Sequence, residues 1–579
     1  MIYERFLGGR RRGKSRRLVL ACFIGSLAAV LLAACSSTSS PGAGPASSLT
    51  GSSAAGTGGS NLAGGGSGLT GRGLPSEHDQ LQVLAAAFTK LQKRQTLVPG
   101  GQDIDDYNIG ALWRRGLDGA GTTIAVLEGW NDPAIARQVA RFDKATGLPT
   151  PNITTIYPAG PLPKKCPPGM TALGTYGACP DWAGEIQLDV EAAHLIAPYA
   201  RIVIAVTPAD TEVTEDAASQ VAPPEMMKSV EYIAAHHLAN VISISDGNGE
   251  SSYSHGAAEI LAQDPGELAA AAAGIPIVAG TGDCGVVQNL PVANGQCEDT
   301  STFADSAAWD DSPWVTAVGG TIPNLTPSGA HRGPDPLWTQ PHFGTGAGLS
   351  KVFRRPAYQD GVANITHSQW RSMPDLTMDS RYGTSESGPL LAGVLALATQ
   401  ENNGNVGPIN PVLYATLGPA GARDGIIDVT SGNNSSTLAD GKVVKGYAAA
   451  KGFDVASGWG TIDAARFVPS LVAATKAAAQ DSRVRRQAQS DLKALETRIS
   501  VSPSTVPAGG SCRVRGLGFL PDHPVRVYVD GHRVARVMAN GAGTVNYVVR
   551  PGRLDLTAGQ HQIVLTGMLL TQTARFRSG

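Results

Sequence analysis

Between residues 104 and 473, short apolar runs rich in β-branched side chains alternate with alanine-rich stretches of helical spacing. The runs lie at 122–127, 201–206, 241–245, 275–279 and 314–318, and the helical stretches include 132–142, 186–196, 225–237 and 267–273. Strand, helix, strand at this spacing predicts an α/β fold, a parallel sheet with helices on both faces. Unbroken apolar strands belong in such a sheet because both of their faces are covered. In open sheets of this kind the site forms beyond the carboxyl ends of the strands.

After residue 473 the pattern changes twice. Residues 474–499 are charged and alanine-rich without a breaker, which predicts a linker helix. Over 500–579 the period becomes two. The run 525–529 alternates into Asp530-Gly531, a hairpin signal, 532–537 returns, and 544–550 and 561–566 add strands. This tail resembles a small immunoglobulin-like β-sandwich. It carries no cluster of catalytic residue types and reads as a spacer or adhesion module, with cell-wall or surface contact as its expected role.

Ahead of the body, residues 36–103 form a Gly/Ser-rich tether with one helical stretch at 80–94. The first 35 residues are an address rather than a fold. Arg10, Arg11, Arg12, Lys14, Arg16 and Arg17 precede an apolar run at 18–34. Leu32-Ala33-Ala34-Cys35 resembles a bacterial lipobox, in which Cys35 is acylated and anchors the chain to the membrane. An ordinary signal peptide with a chance cysteine is the alternative. Ser15-Arg16-Arg17-Leu18-Val19-Leu20 also resembles a twin-arginine export signal, with the general route as its alternative. Either route predicts an extracytoplasmic protein, held at the cell membrane as a lipoprotein.

The formal net charge of −2 over 579 residues gives no electrostatic case for a nucleic-acid partner. The seven cysteines agree with export. Cys166 and Cys179 enclose a Pro/Gly-rich stretch, and Cys284 and Cys297 enclose another of the same spacing. Two short-loop disulfides are the natural reading in an oxidising compartment, each contributing roughly 2–3 kcal/mol. Zinc is the alternative, although CxxC pairs and nearby histidines are missing. Cys512 is left over and is expected to be buried.

Three short stretches carry candidate chemistry. Gly383-Thr384-Ser385 opens an Ala/Leu-rich helical stretch at 390–400, preceded by Pro389. A serine there faces the positive end of the helix, which favours an alkoxide and a developing oxyanion; Ser and Thr are also ordinary N-caps. Glu185 and Asp189, four apart, share one helical face. A solvated face is the plain alternative, but Trp182, Ile186, Leu188 and Val190 flank them. Two close carboxyls share a proton and titrate as a pair. Asp283 follows the apolar run ending at Ala279, where it either serves a site or caps a turn.

Together these motifs resemble the sedolisin, or serine-carboxyl peptidase, family over residues 104–473. Asn108-Ile109, Leu112-Trp113 and Ile124-Ala125-Val126-Leu127-Glu128 match the opening of its domain. Glu185 and Asp189, the turn at Asp283, 313–321, Pro374-Asp375 and Gly383-Thr384-Ser385 follow in the family's order. The resemblance implies a subtilisin-like fold and a peptide hydrolase. Ser385 is then the nucleophile, Glu185 the base that takes and returns its proton, Asp189 the residue orienting Glu185, and Asp283 a protonated donor to the oxyanion. A carboxylic acid donates only while it holds its proton, so the expected optimum is acidic. A subtilisin-type enzyme would need a histidine base, and His194 reads as a core or surface residue.

The resemblance also implies one calcium ion, held by Asp428 and Asp454 and by the carbonyls of Val429, Ala450 and Gly452, an all-oxygen set suited to a hard cation. A pair of turn aspartates is the alternative. Three departures stand out. No long folded pro-segment precedes residue 104, the segment between Pro374-Asp375 and Ser385 is short, and Ser245-Asp246-Gly247-Asn248-Gly249 stands where the family has Ser-aromatic-Gly-Gly. Glu386, beside the nucleophile, has no evident role. The expectation is thus an endopeptidase of acidic pH acting on proteins or peptides. The alternative is a catalytically impaired relative kept as a surface-binding protein.

Overall fold

A computed structural model describes residues 101–166, 179–207, 224–288, 297, 300–324, 334–340, 343–479 and 483–579. The export signal with Cys35, the tether and the helical stretch at 80–94 lie outside the described residues.

The apolar runs of the body become parallel strands: β1 (Thr123–Glu128), β3 (Arg201–Val206), β4 (Val241–Ile244), β5 (Ile277–Gly280) and β6 (Val315–Thr321). Two strands unmarked in the sequence complete the sheet, β2 (Ile153–Ile156) and β9 (Leu376–Asp379). The order is β2-β3-β1-β4-β5-β6-β9 and every pairing is parallel. A separate antiparallel pair, β7 (Gly348–Arg354) and β8 (Trp370–Met373), precedes β9.

Alternation along the strands assigns the helices to faces. Ile124 and Val126 of β1 bury on one side, with α1 (Ile135–Thr146), α2 (Cys179–Ile196) and α5 (Thr384–Asn402). Ala125 and Leu127 bury on the other, with α3 (Pro224–His236) and α4 (Asp264–Ala273). Each fully buried Val, Leu or Ile contributes about 1.5–3 kcal/mol. The helix α5 is apolar all round and buried nearly throughout, as such a helix must be to avoid water.

The residues expected to form one linker helix belong to two. α6 (Ala464–Ala479) packs on α5 through Val468 and Leu471, and α7 (Arg483–Glu496) lies against α4. Arg485 Nε donates to the Ala272 carbonyl at 2.9 Å, and Ala488 and Leu495 bury beside Leu268 and Ala271. The pattern read as merely charged is therefore amphipathic.

The tail forms two small sheets around one core that includes Val514, Val527, Ile563, Leu565 and Phe576. Asp530 and Gly531 take φ 48° and 80°, the two left-handed positions that the hairpin signal requires. Leu520 and Leu569 join the apolar cluster of the α/β body, and His255 Nε2 lies 2.7 Å from Asp522 Oδ2. Cys166–Cys179 and Cys284–Cys297 are disulfides, so neither pair is available to zinc, and Cys512 is buried as a free thiol.

Candidate active site

Five elements converge beyond the carboxyl ends of the central strands. Glu128 ends β1, Ser245 and Asp246 follow β4, and Asp283 follows β5. α2 brings Glu185 and Asp189, one turn apart, and α5 brings Ser385 in its first turn. The structure thus gathers all four residues singled out in the sequence.

Local geometry fixes the serine. Gly383 sits at φ 97°, and a Cβ there would lie 2.6 Å from Asp283 Oδ2. Gly280 similarly lets the helix start rest on β5, since a Cβ would lie 2.7 Å from the Thr384 carbonyl. Asp283 Oδ1 accepts from the Thr384 N–H at 2.8 Å and from its hydroxyl at 3.0 Å. Pro389 lacks the N–H that would bond the Ser385 carbonyl four residues back. Ser245 Oγ donates to that carbonyl instead, at 3.3 Å.

Electrostatics set the carboxyls apart from ordinary surface acids. Burial pushes Glu185 up to about 7; a hydrogen bond from Ser385 opposes this, while Asp283 and Asp181 add to it. Asp189 is fully buried with neither oxygen paired in normal geometry, and burial and then Glu185 hold it well above the carboxylate range, with Ser245 opposing. Glu128 is missed by the sequence reading as a site residue, although an acid closing an apolar strand was visible. Both its oxygens are buried without partners, and burial, then Asp189, Glu185 and Asp246, raise it. Asp246 is raised by burial and by Glu185, against the Gly247 N–H. Burial and mutual repulsion thus raise four neighbouring carboxyls, Glu128, Glu185, Asp189 and Asp246, beside the serine.

Glu386 finds its surroundings on the far side of the serine turn. It is fully buried with Asp103 and Asp379, their oxygens within 4.8 Å of one another. Arg381 forms a two-pronged ion pair with Asp103 at 2.9 and 3.0 Å and binds Asp379 at 2.5 Å. The Tyr382 N–H donates to Glu386 Oε2 at 3.2 Å. Burial and Asp103 push Glu386 up to about 8 against Arg381. A guanidinium inside the group already supplies its positive charge. The short link from β9 to α5 is four residues, Ser380 to Gly383, and leaves Tyr382 exposed beside the serine. His194 is a core residue, its Nε2 3.0 Å from Asp143 Oδ1 between α2 and α1.

The residues expected to hold calcium also meet. Asp428 Oδ2 accepts from the Gly452 N–H at 2.9 Å, and Asp454 Oδ2 accepts from the Ala450 N–H at 2.8 Å. Asp454 is further held by the N–H groups of Ala456 and Ser457, both at 2.8 Å. Val429 is buried next to Asp428. The other Asp428 oxygen is buried and has no partner, which fits a hard cation there.

No protein-family model matches the chain. Kumamolisin of Bacillus sp. (strain MN-32) is 28% identical over 386 residues, 62% of this chain and 61% of that protein. Sedolisin of Pseudomonas sp. (strain 101) is 28% identical over 253 residues, 40% of each. Tripeptidyl-peptidase 1 of Homo sapiens is 28% identical over 256 residues, 39% of this chain and 42% of that protein. The chain thus spans about three fifths of kumamolisin and less than half of the other two. Among solved structures, Pseudomonas sedolisin, a serine-carboxyl proteinase, superposes with a TM-score of 0.50 at 24% identity, covering 62% of this chain and 94% of that one. This chain is similar in sequence to sedolisin, kumamolisin and tripeptidyl-peptidase 1, and its α/β body has the sedolisin fold.

Proposed function

We propose that the chain is an exported, lipid-anchored serine-type endopeptidase that hydrolyses peptide bonds of proteins or peptides at acidic pH. The observation that carries this reading is the convergence of Ser385, at the start of α5, with the raised carboxyls of Glu185 and Asp189 on α2 and with Asp283, whose Oδ1 accepts from the residue before the serine.

Ser385 attacks the scissile carbonyl and its proton passes to Glu185, which later returns it to the leaving amine. Asp189, one turn on, shares the charge of Glu185 and keeps it from turning to solvent. Asp283, whose Oδ1 accepts from Thr384, donates its proton to the developing oxyanion. Asp283 donates only while it holds its proton, so its ionisation closes the activity on the alkaline side. Asp428, Asp454 and the carbonyls of Val429, Ala450 and Gly452 would hold a calcium ion, which when bound ties two loops of the body together.

The test is cleavage of a diverse peptide mixture from about pH 3 to 8 by the wild-type chain and by S385A. We expect cleavage confined to acidic pH that falls at least about 10³-fold in S385A. Absence of cleavage by the folded, calcium-loaded protein at every pH would replace this reading with that of a surface-binding relative.

A further inference from the structure

The near-neutral charge of the whole chain hides a segregated one. Residues 499–579 hold nine arginines, no lysine and three aspartates, a net charge of +6 in a chain of −2. Five of these arginines stand on one surface. Alternation in the five-stranded sheet turns Val525, Val527, Ile563, Leu565 and Phe576 inward. The same alternation, with a register shift opposite Val527 and Tyr528 that brings Arg533 and Arg536 onto one face, sends Arg526, Arg533, Arg536, Arg575 and Arg577 outward, all exposed.

Register fixes the neighbours of each. Arg526 lies opposite Arg536, and Tyr528 opposite Arg533. Arg575 lies opposite Gln562, and Arg577 opposite Gln560. No acid occurs in the strands of this sheet. Asp530, in the hairpin turn, is taken up by His561 and by the Gln562 N–H. Like charges directly opposite one another destabilise a sheet, so this arrangement costs stability in the free protein. An anion laid across the face removes that cost.

We propose that this face binds a linear phosphodiester polymer of the cell envelope, a poly(polyol phosphate). The arginine fork matches phosphate oxygens two at a time, and the glutamines add donors between the charges. Strands about 4.8 Å apart carry outward residues roughly 6.8 Å apart, so the face is a flat grid of cations rather than a pocket. A grid suits a repeating polyanion better than a single small anion. A bilayer is disfavoured because Met538, on the edge strand, is the one exposed large apolar side chain among the described residues of 499–579. Surface helices that dock on membranes need an apolar set to insert. The compartment of the polymer follows from the export reading of residues 1–35, while the peptidase chemistry plays no part.

The test is titration of the full chain with purified poly(glycerol phosphate) by calorimetry at about 50 and about 200 mM salt. Two charge-reversal pairs change the net charge equally: R526E/R536E on this face and R513E/R515E on the outer face of the three-stranded sheet. Wild-type binding is expected to weaken by on the order of a hundredfold between the two salts if about four phosphates are engaged. R526E/R536E should lose at least about tenfold in affinity and show a shallower salt slope, whereas R513E/R515E should stay within about twofold of wild type. Equal losses in both pairs, or no saturable binding by wild type, would overturn the proposal. Tighter binding to phosphatidylglycerol vesicles than to the polymer would overturn it in favour of a membrane surface. All four positions are exposed, and thermal unfolding of each variant checks that it is folded.

Discussion

The surroundings of Ser385 are set by the backbone chemistry of its neighbours. Pro389 withholds one N–H, which turns the serine carbonyl to Ser245, and Gly383 gives Asp283 room to lie against the helix start. In G383A the left-handed backbone is strained by about 1–3 kcal/mol and the added methyl displaces the Asp283 carboxyl. The expected outcome is a folded protein with a lower melting temperature and at least about tenfold lower kcat/KM, read by thermal unfolding and peptide cleavage. Asp181, in the first turn of α2, raises Glu185 by its negative charge. D181N removes that charge, so the Glu185 carboxyl, followed by its infrared band against pH, should ionise at lower pH than in the wild type. An unchanged titration would show that Asp181 does not raise it. Ser385, Glu185, Asp189 and Asp283 were legible because spacing and position relative to strands and helices are written in the sequence. Glu128 and the group around Glu386 were not, because Glu128 takes its meaning from Glu185 and Asp189 and Glu386 from Asp103, distant positions that only folding brings alongside.

At the level of elements, legibility followed the size of the apolar signal. The five long runs became strands within a few residues of their expected bounds, since both faces of each are buried. β9 was missed because Leu376-Thr377-Met378-Asp379 is four residues long and follows Pro374-Asp375. Thr571–Ser578 was missed because its inward set is Gln572, Ala574, Phe576 and Ser578, with one large apolar side chain and so no visible alternation. The α4–α7 contact has an energetic consequence. Leu268 and Ala271 of α4 share a core with Ala488, Leu495 and the tail sheets. Truncation after residue 479 would bare that surface, together with the partners of Leu520 and Leu569. Losing two buried leucines and their neighbours costs several kcal/mol at about 2–5 kcal/mol each. The truncated chain should therefore melt lower or aggregate, as followed by calorimetry and light scattering. An unchanged melting temperature would mean that the tail is an independent appendage.

At the scale of the whole fold, buried carboxyls outnumber, among the described residues, the cations placed to balance them. Beyond the site cluster, burial raises Glu267, Asp310 and Asp311 around Arg371, a guanidinium already paired with Asp375 at 2.7 Å, and likewise Asp379 and Glu386. Groups whose folded pKa lies above the unfolded value stabilise the fold fully below about pH 4, and the contribution is lost as pH rises through the folded value. With Glu185 at about 7 and Glu386 at about 8, the loss extends through neutrality. The melting temperature should be highest near about pH 4–5 and fall toward pH 8, by several kcal/mol of stability in total. A melting temperature that rises from pH 5 to 8 would contradict this.

The unpartnered oxygens of Glu128 and Asp189 make the folded chain a store of protons that the unfolded chain cannot keep at neutral pH. Melting near pH 7 must then discharge those protons into the medium, where the buffer takes them up with its own heat. The calorimetric enthalpy of unfolding should consequently be smaller in Tris, whose protonation is strongly exothermic, than in phosphate at the same pH, and the difference counts the protons that the interior had held.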